Sequence, residues 1–78
     1  MESVTNLVRF VAQSLVDNPE AVDVLEVEGP ESVVIELRVE EGDMGKVIGK
    51  QGRIAKSIRT VVKGATVKND KPVFVEIV

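Results

Sequence analysis

The sequence predicts an α+β fold with its elements in the order α-β-β-α-α-β. Three observations carry that prediction. Residues 4–16 place apolar side chains at helical spacing, and residues 33–40 alternate well, with Val33, Ile35, Leu37 and Val39 on one face. A helical stretch broken by glycine, 43–63, then leads into a β-rich run at 73–78. Seventy-eight residues are enough for one small domain, which buries roughly 60–65% of its unfolded surface.

The first helix follows from Val4, Leu7, Val8, Val11, Ala12, Leu15 and Val16, which share one stripe at a period of 3.6. "DNP" at 17–19 ends it, because proline disfavours α geometry before it and cannot continue a helix. Residues 22–28, "VDVLEVE", are β-rich but alternate imperfectly, with Leu25 on the wrong parity for a one-sided strand. "GPES" at 29–32 is a turn signal. Val33, Ile35, Leu37 and Val39 then face one side while Glu36, Arg38 and Glu40 face the other, the pattern of a half-buried strand. A short helix is predicted over 43–48, an interruption at "GKQG", 49–52, and a second helix over 53–63. Gly64 is expected to close that helix in left-handed geometry. Residues 65–71 form a polar loop, and 73–78, "VFVEIV", the last strand.

Composition narrows the chemistry. The chain contains neither cysteine nor histidine. This excludes disulfides and thiolate nucleophiles, together with the usual zinc ligands and His-assisted catalysis. No metal or cofactor is expected. The thirteen carboxylates show no pairing suited to acid and base roles, so an enzyme is not expected. Arg9, Gln13 and Asp17 interrupt any apolar leader, and no run reaches the ~18 apolar residues of a membrane span. The expectation is a soluble, cytoplasmic protein.

Net charge is −3, but it is unevenly placed. Lys46, Lys50, Arg53, Lys56, Arg59, Lys63, Lys68 and Lys71 lie within 43–71, opposed there only by Asp43 and Asp70. That segment carries +6; the remainder, with two basic and eleven acidic residues, carries −9. Such asymmetry points to a polyanion-binding face on an acidic body.

The stretch "GKVIGKQGRIAKSI", 45–58, lies inside the basic segment. It is not a P-loop. Gln51 stands where Ser or Thr must hold magnesium, and Met44 stands where the first glycine belongs. The G-x-x-x-G-x-x-G spacing also departs from the dinucleotide-binding G-x-G-x-x-G. A bare helix–turn–helix corner would explain Gly49 or Gly52 but not the ring of Lys46, Lys50 and Arg53 around them.

Val47-Ile48-Gly49-Lys50-Gln51-Gly52-Arg53-Ile54, continued to Ile58, closely resembles the KH signature V/I-I-G-x-x-G-x-x-I-x-x-I. The last interval is four residues here, Ile54 to Ile58, rather than three. The element order matches the type II arrangement, and the resemblance covers essentially the whole chain. With its length and its opening "LVRFVAQSLVDNPEAV", the sequence is similar to the small bacterial single-KH RNA-binding proteins of the KhpA family. The resemblance implies a type II KH domain, with a three-stranded mixed sheet and three helices packed on one face. It also implies self-association as a homodimer or pairing with a larger Jag-type KH protein. The roles it implies are RNA chaperoning, post-transcriptional regulation, and bacterial growth and cell shape.

A KH module clamps the backbone of about four nucleotides of single-stranded nucleic acid with its G-x-x-G loop. Gly49 and Gly52 allow a tight turn and close approach of phosphate. The start of the following helix offers free N–H groups to an anion. Lys50 adds a mobile cation and Gln51 neutral hydrogen-bonding capacity. At 100° per residue, Ile54, Ile58, Val61 and Val62 fall on one helix face, expected to pack on the sheet. Arg53, Lys56, Arg59 and Lys63 fall on the other. The expected RNA-binding residues are therefore Gly45, Lys46, Val47, Ile48, Gly49, Lys50, Gln51, Gly52, Arg53 and Lys56. Ile48 and Ile54 are assigned first to the core and second to groove lining. Arg59 and Lys63 can act as a longer-range field. Arg59, Lys68 and Lys71 are further candidates, the last two on a loop expected to close the groove's other side. With only Phe10 and Phe74, both expected in the core or an interface, an aromatic stacking platform is not predicted. The different-class alternative is a protein–protein module using the first helix, residues 22–28 and the exposed end of the last strand.

Overall fold

The structure, a computed structural model, describes all 78 residues. Helix α1 spans Glu2–Leu15, strands β1 and β2 span Asp23–Glu28 and Val33–Arg38, helices α2 and α3 span Met44–Ile48 and Arg53–Ala65, and strand β3 spans Val73–Ile77. Single 3₁₀ turns occupy Pro19–Ala21, Glu41–Asp43 and Lys50–Gly52. The α-β-β-α-α-β order is as the sequence predicts.

The sheet runs β1-β2-β3. β1 and β2 form an antiparallel hairpin with Val24 opposite Leu37 and Val27 opposite Val34. β2 and β3 are parallel, with Ile35 opposite Val75. A parallel neighbour needs a long crossover, and α2 with α3 supplies it. Three helices therefore cover one face of a mixed sheet. The core joins Val24, Ile35, Leu37 and Val75 of the sheet to Val4, Val8 and Ala12 of α1, Val47 of α2, and Ile58 and Val62 of α3. Burial of Val33, Ile35, Leu37 and Val39 bears out the alternation read in β2.

Several expectations need correction. α3 does not stop at Gly64. Thr66 ends it by donating its backbone N–H to the Val62 and Lys63 carbonyls and its hydroxyl to Val62 O at 2.8 Å. With those carbonyls satisfied, Gly64 stays an ordinary helical residue without positive φ. Of the core or interface role expected for Phe10 and Phe74, the core is excluded: they are 69% and 55% exposed. Phe10 lies two positions from both Val8 and Ala12, so it falls on the opposite side of α1. Val61 does not pack on the sheet but is 52% exposed, beside a groove between α1 and α3. Leu25, on the odd parity noted in the sequence, faces solvent on the uncovered side of the sheet.

Candidate nucleic-acid interface

The turn between α2 and α3 is built from three consecutive or near-consecutive residues at positive φ. Gly49 (φ 78°, ψ 174°) closes α2 and donates its N–H to Gly45 O at 2.9 Å. Its dihedrals fall in a region open essentially only to glycine. A Cβ there would also lie 2.6 Å from Cγ1 of Ile54, so Ile54 packs directly over the bare α-carbon. Gly52 (φ 73°, ψ 15°) is left-handed but has open space around it, so only its backbone conformation calls for glycine. Between them Gln51 is also left-handed (φ 58°), the only non-glycine residue so placed. Its Oε1 accepts a hydrogen bond from the Arg53 guanidinium at 3.2 Å. Nothing in the sequence marked Gln51 as left-handed, because the constraint comes from closing a four-residue turn between two helices.

This geometry leaves Lys50 and Gln51 exposed at the tip and Gly49 and Gly52 half-buried behind them. α3 begins immediately at Arg53, and no side chain caps its first turn. The Arg53 N–H is taken by the Lys50 carbonyl, and the positive end of the helix dipole faces the turn, open to an anion.

The residues preceding the turn divide in role. Val47 is fully buried in the core. This corrects its expected place on the groove wall: it anchors α2 and cannot touch a ligand. Ile48 is partly exposed and stands outside the core, the reverse of the order assigned to it, whereas Ile54 packs against the core. Gly45 is exposed with open space around it, so packing does not require glycine there. Lys46 turns toward acids, pairing with Asp17 at 3.2 Å and Asp43 at 3.6 Å. The hydrogen bond and charge of Asp17 raise its pKa.

Asp43 is the hidden anchor of the loop. Its buried carboxylate accepts the backbone N–H groups of Asp17 (3.2 Å) and Asn18 (3.0 Å). Burial pushes its pKa up, but those two N–H groups and Lys46 outweigh burial and hold it below the ordinary value. The chain leaving α1 is thereby tied to the chain entering α2. In the sequence Asp43 is simply the last acid of "EEGD"; its partners lie 25 and 26 residues away.

Arg53, Lys56, Arg59 and Lys63 are all exposed along α3, opposite the buried Ala55, Ile58 and Val62. No carboxylate forms an ion pair with any of them, or with Lys50 or Lys68. Arg59 reaches the sheet, its Nε donating to Val75 O on the outer edge of β3 at 3.3 Å. Beyond it a cleft of about 510 Å³ lies between α3 and β3, walled by Lys63, Asn69, Val67 and Phe74. Of the core or interface role expected for Phe74, the core is excluded; β-strand parity and its edge position bring it to this wall. Lys68 and Lys71 sit beyond the far end of α3, about 20 Å along the helix from GKQG. Lys71 is occupied, bonding Glu28 at 2.8 Å and Gly29 O at 2.9 Å. Its hydrogen bond and charge hold the Glu28 carboxyl below its ordinary pKa. No group of His, Cys, Asp and Glu side chains is arranged to hold a metal ion, and no helix is long and apolar enough to cross a membrane.

A three-stranded mixed sheet in α-β-β-α-α-β order, with a glycine turn joining the second and third helices, defines a KH domain. Residues 5–77 match the family model described as "KhpA/KhpB, KH domain". The chain is 64% identical over 72 residues to the RNA-binding protein KhpA of Clostridium perfringens, covering 92% of this chain and 96% of that one. It is 48% identical over 77 residues to the protein of that name from Aquifex aeolicus, covering 99% and 98%. Among solved structures it resembles Aquifex aeolicus Era bound to GDP and aluminium fluoride, with TM-score 0.62 and 26% identity over 95% of this chain. It spans 29% of that longer protein. Era in complex with MgGDPNP and a segment of 16S ribosomal RNA is similar at TM-score 0.62 and 25% identity, over 96% of this chain and 30% of that one. The chain belongs to the KhpA/KhpB family of KH-domain proteins.

Proposed function

We propose that this protein binds single-stranded RNA, with the sugar-phosphate backbone seated on the GKQG turn and the strand continuing along the cleft between α3 and β3. One observation carries the reading. An exposed turn of positive-φ backbone opens onto an uncapped helix start, and Lys50, Arg53 and Lys56 beside it have no acidic partner. Relatives that match nearly end to end are named RNA-binding proteins. RNA, rather than a small substrate, fits a chain with neither histidine nor cysteine and with a free basic helix face. The protein acts in the cytoplasm as an RNA chaperone or post-transcriptional regulator and does no covalent chemistry.

The test is titration of a single-stranded RNA pool against wild type and Lys50→Asp/Gln51→Asp. The double substitution keeps both glycines and puts two negative charges at the phosphate seat. Wild type should bind with log affinity falling against log salt at a slope of about −2 to −3, as for three or four neutralised phosphates. Equal binding by a folded double variant would remove the reading.

A single groove covers about four nucleotides, so useful affinity calls for a second module. The groove between α1 and α3 is lined by Leu7, Val11, Leu15, Ile54 and Val61 and encloses about 240 Å³. Its apolar character supports self-association, or pairing with a larger KH protein of the Jag type, through this side of the molecule.

A further inference from the structure

The sheet has a second face and a free edge that the RNA reading does not use. β1 has a neighbour on one side only, and no side chain of this protein bonds its outer backbone edge. Paired registers place Val27 and Val34 in one row across the uncovered face, ending at Phe74 where the sheet meets the RNA cleft, with Leu25, Glu36 and Glu76 in the next row. Leu25, Val27 and Phe74 are substantially exposed. Acids share this uncovered face: Asp23 on β1, Glu36 on β2 and Glu76 on β3, against Arg38 alone, while Glu26, paired with Ile35, stands at the edge on the helix-covered side.

We propose that β1 and the adjoining open face dock an extended, cationic segment of another protein, added as a fourth strand. Main-chain hydrogen bonds to a free edge give such a segment its affinity, and alternating side chains give it specificity. The alternation here is explicit. On one side of the edge Leu25 and Val27 ask for apolar residues; on the other, Glu26, which has no ion-pair partner, asks for Lys or Arg, Glu28 being already held by Lys71. A segment alternating apolar and basic residues satisfies both rows.

Charge complementarity also argues against a second copy at this edge. Full antiparallel pairing of two β1 strands would set Asp23 of each copy opposite Glu28 of the other. A shift of one residue would set Glu26 opposite Glu26. Like charges directly opposite destabilise a strand pair, and edge charges are a common guard against self-pairing. The guard that repels a copy of this chain attracts a basic strand.

The probe is a capped ten-residue peptide alternating Lys and Val, titrated into isotopically labelled protein. Amide shifts should concentrate at Asp23–Glu28 and Val34, away from the α3–β3 cleft that Phe74 walls. Glu26→Lys/Glu76→Lys should weaken binding by about tenfold, whereas Glu2→Lys/Glu41→Lys, the same change of charge placed elsewhere, should weaken it by less than about threefold. Leu25→Thr, which keeps β propensity and adds no charge, should weaken it by about threefold. A peptide with the same residues in two blocks should bind more weakly than the alternating one. Saturation of the protein with a uridine decamer should leave peptide affinity unchanged, since the RNA seat lies on another side. Equal losses in the two charge variants would overturn the proposal, as would shifts confined to the α1–α3 groove. Self-association of the protein that Glu26→Lys abolishes would assign the face to a second copy instead and overturn it as well.

Discussion

Gly49 and Gly52 occupy equivalent-looking places in one motif, yet the structure gives them different burdens. Gly52→Ala meets only backbone strain at positive φ, about 1–2 kcal/mol. Gly49→Ala adds a collision with Ile54 to a conformation reserved for glycine, and should lose about 3 kcal/mol in urea unfolding. Combining Gly49→Ala with Ile54→Ala should recover only part of that loss, because Ile54 Cβ itself stands 2.8 Å from the added atom. Equal destabilisation by the two glycine substitutions would contradict the packing described. Asp43 offers a second test at this scale, through pH. Its folded pKa lies below the unfolded value of about 3.8, so the unfolded chain takes up the proton first as pH falls. The contribution is therefore complete above about pH 5 and fades as pH drops through the depressed folded value. Asp43→Asn should lower the thermal midpoint at pH 7, and the gap to wild type should narrow as pH falls below the unfolded carboxyl's ordinary value. A gap that persists unchanged into acid would mean that Asp43 anchors the loop by shape alone.

Elements were legible where one face of the chain decides everything. β2 sits in the middle of the sheet and buries every second residue, so its alternation names both the strand and its inner side. β1 is an edge strand with one buried residue, Val24, and its pattern is correspondingly blurred. The basic and apolar faces of α3 were readable from spacing, but the position of Val61 was not, because α1 meets α3 at an angle no periodicity contains. The G-x-x-G turn was visible as a motif. Its dependence on Asp43, and the diversion of Lys46 toward Asp17, arise from contacts across the fold. Gly64 shows the same limit, since Thr66 took over the ending assigned to it. Gly64→Ala should accordingly stabilise the protein by about 0.5–1 kcal/mol, the gain for an ordinary mid-helix glycine. A loss would restore a capping role to that residue. Along the other face of α3, Lys56→Gln should reduce the magnitude of the salt slope for RNA binding by about one, and Lys68→Gln, beyond the helix end, should leave it unchanged. Equal slopes for both variants would place the RNA backbone elsewhere.

At the scale of the whole molecule, three surfaces point in different directions: the basic side of α3 with its turn, the apolar groove between α1 and α3, and the acidic open sheet. This separation makes assembly compatible with RNA binding. Val61 lies about 160° around α3 from Arg59, so a second copy seated in the groove leaves both basic faces uncovered. Two linked seats then bind a long strand with the second contact made at high effective concentration, while a strand short enough for one seat gains nothing. Wild type should therefore prefer a twenty-nucleotide RNA over a five-nucleotide RNA by more than about tenfold. Val61→Gln keeps helix propensity and net charge while removing apolar surface from the groove. It should sediment as a monomer, retain affinity for the short RNA, and lose most of the preference for the long one. If Val61→Gln keeps that preference, the second contact is made without the groove, and the α1–α3 side has another use.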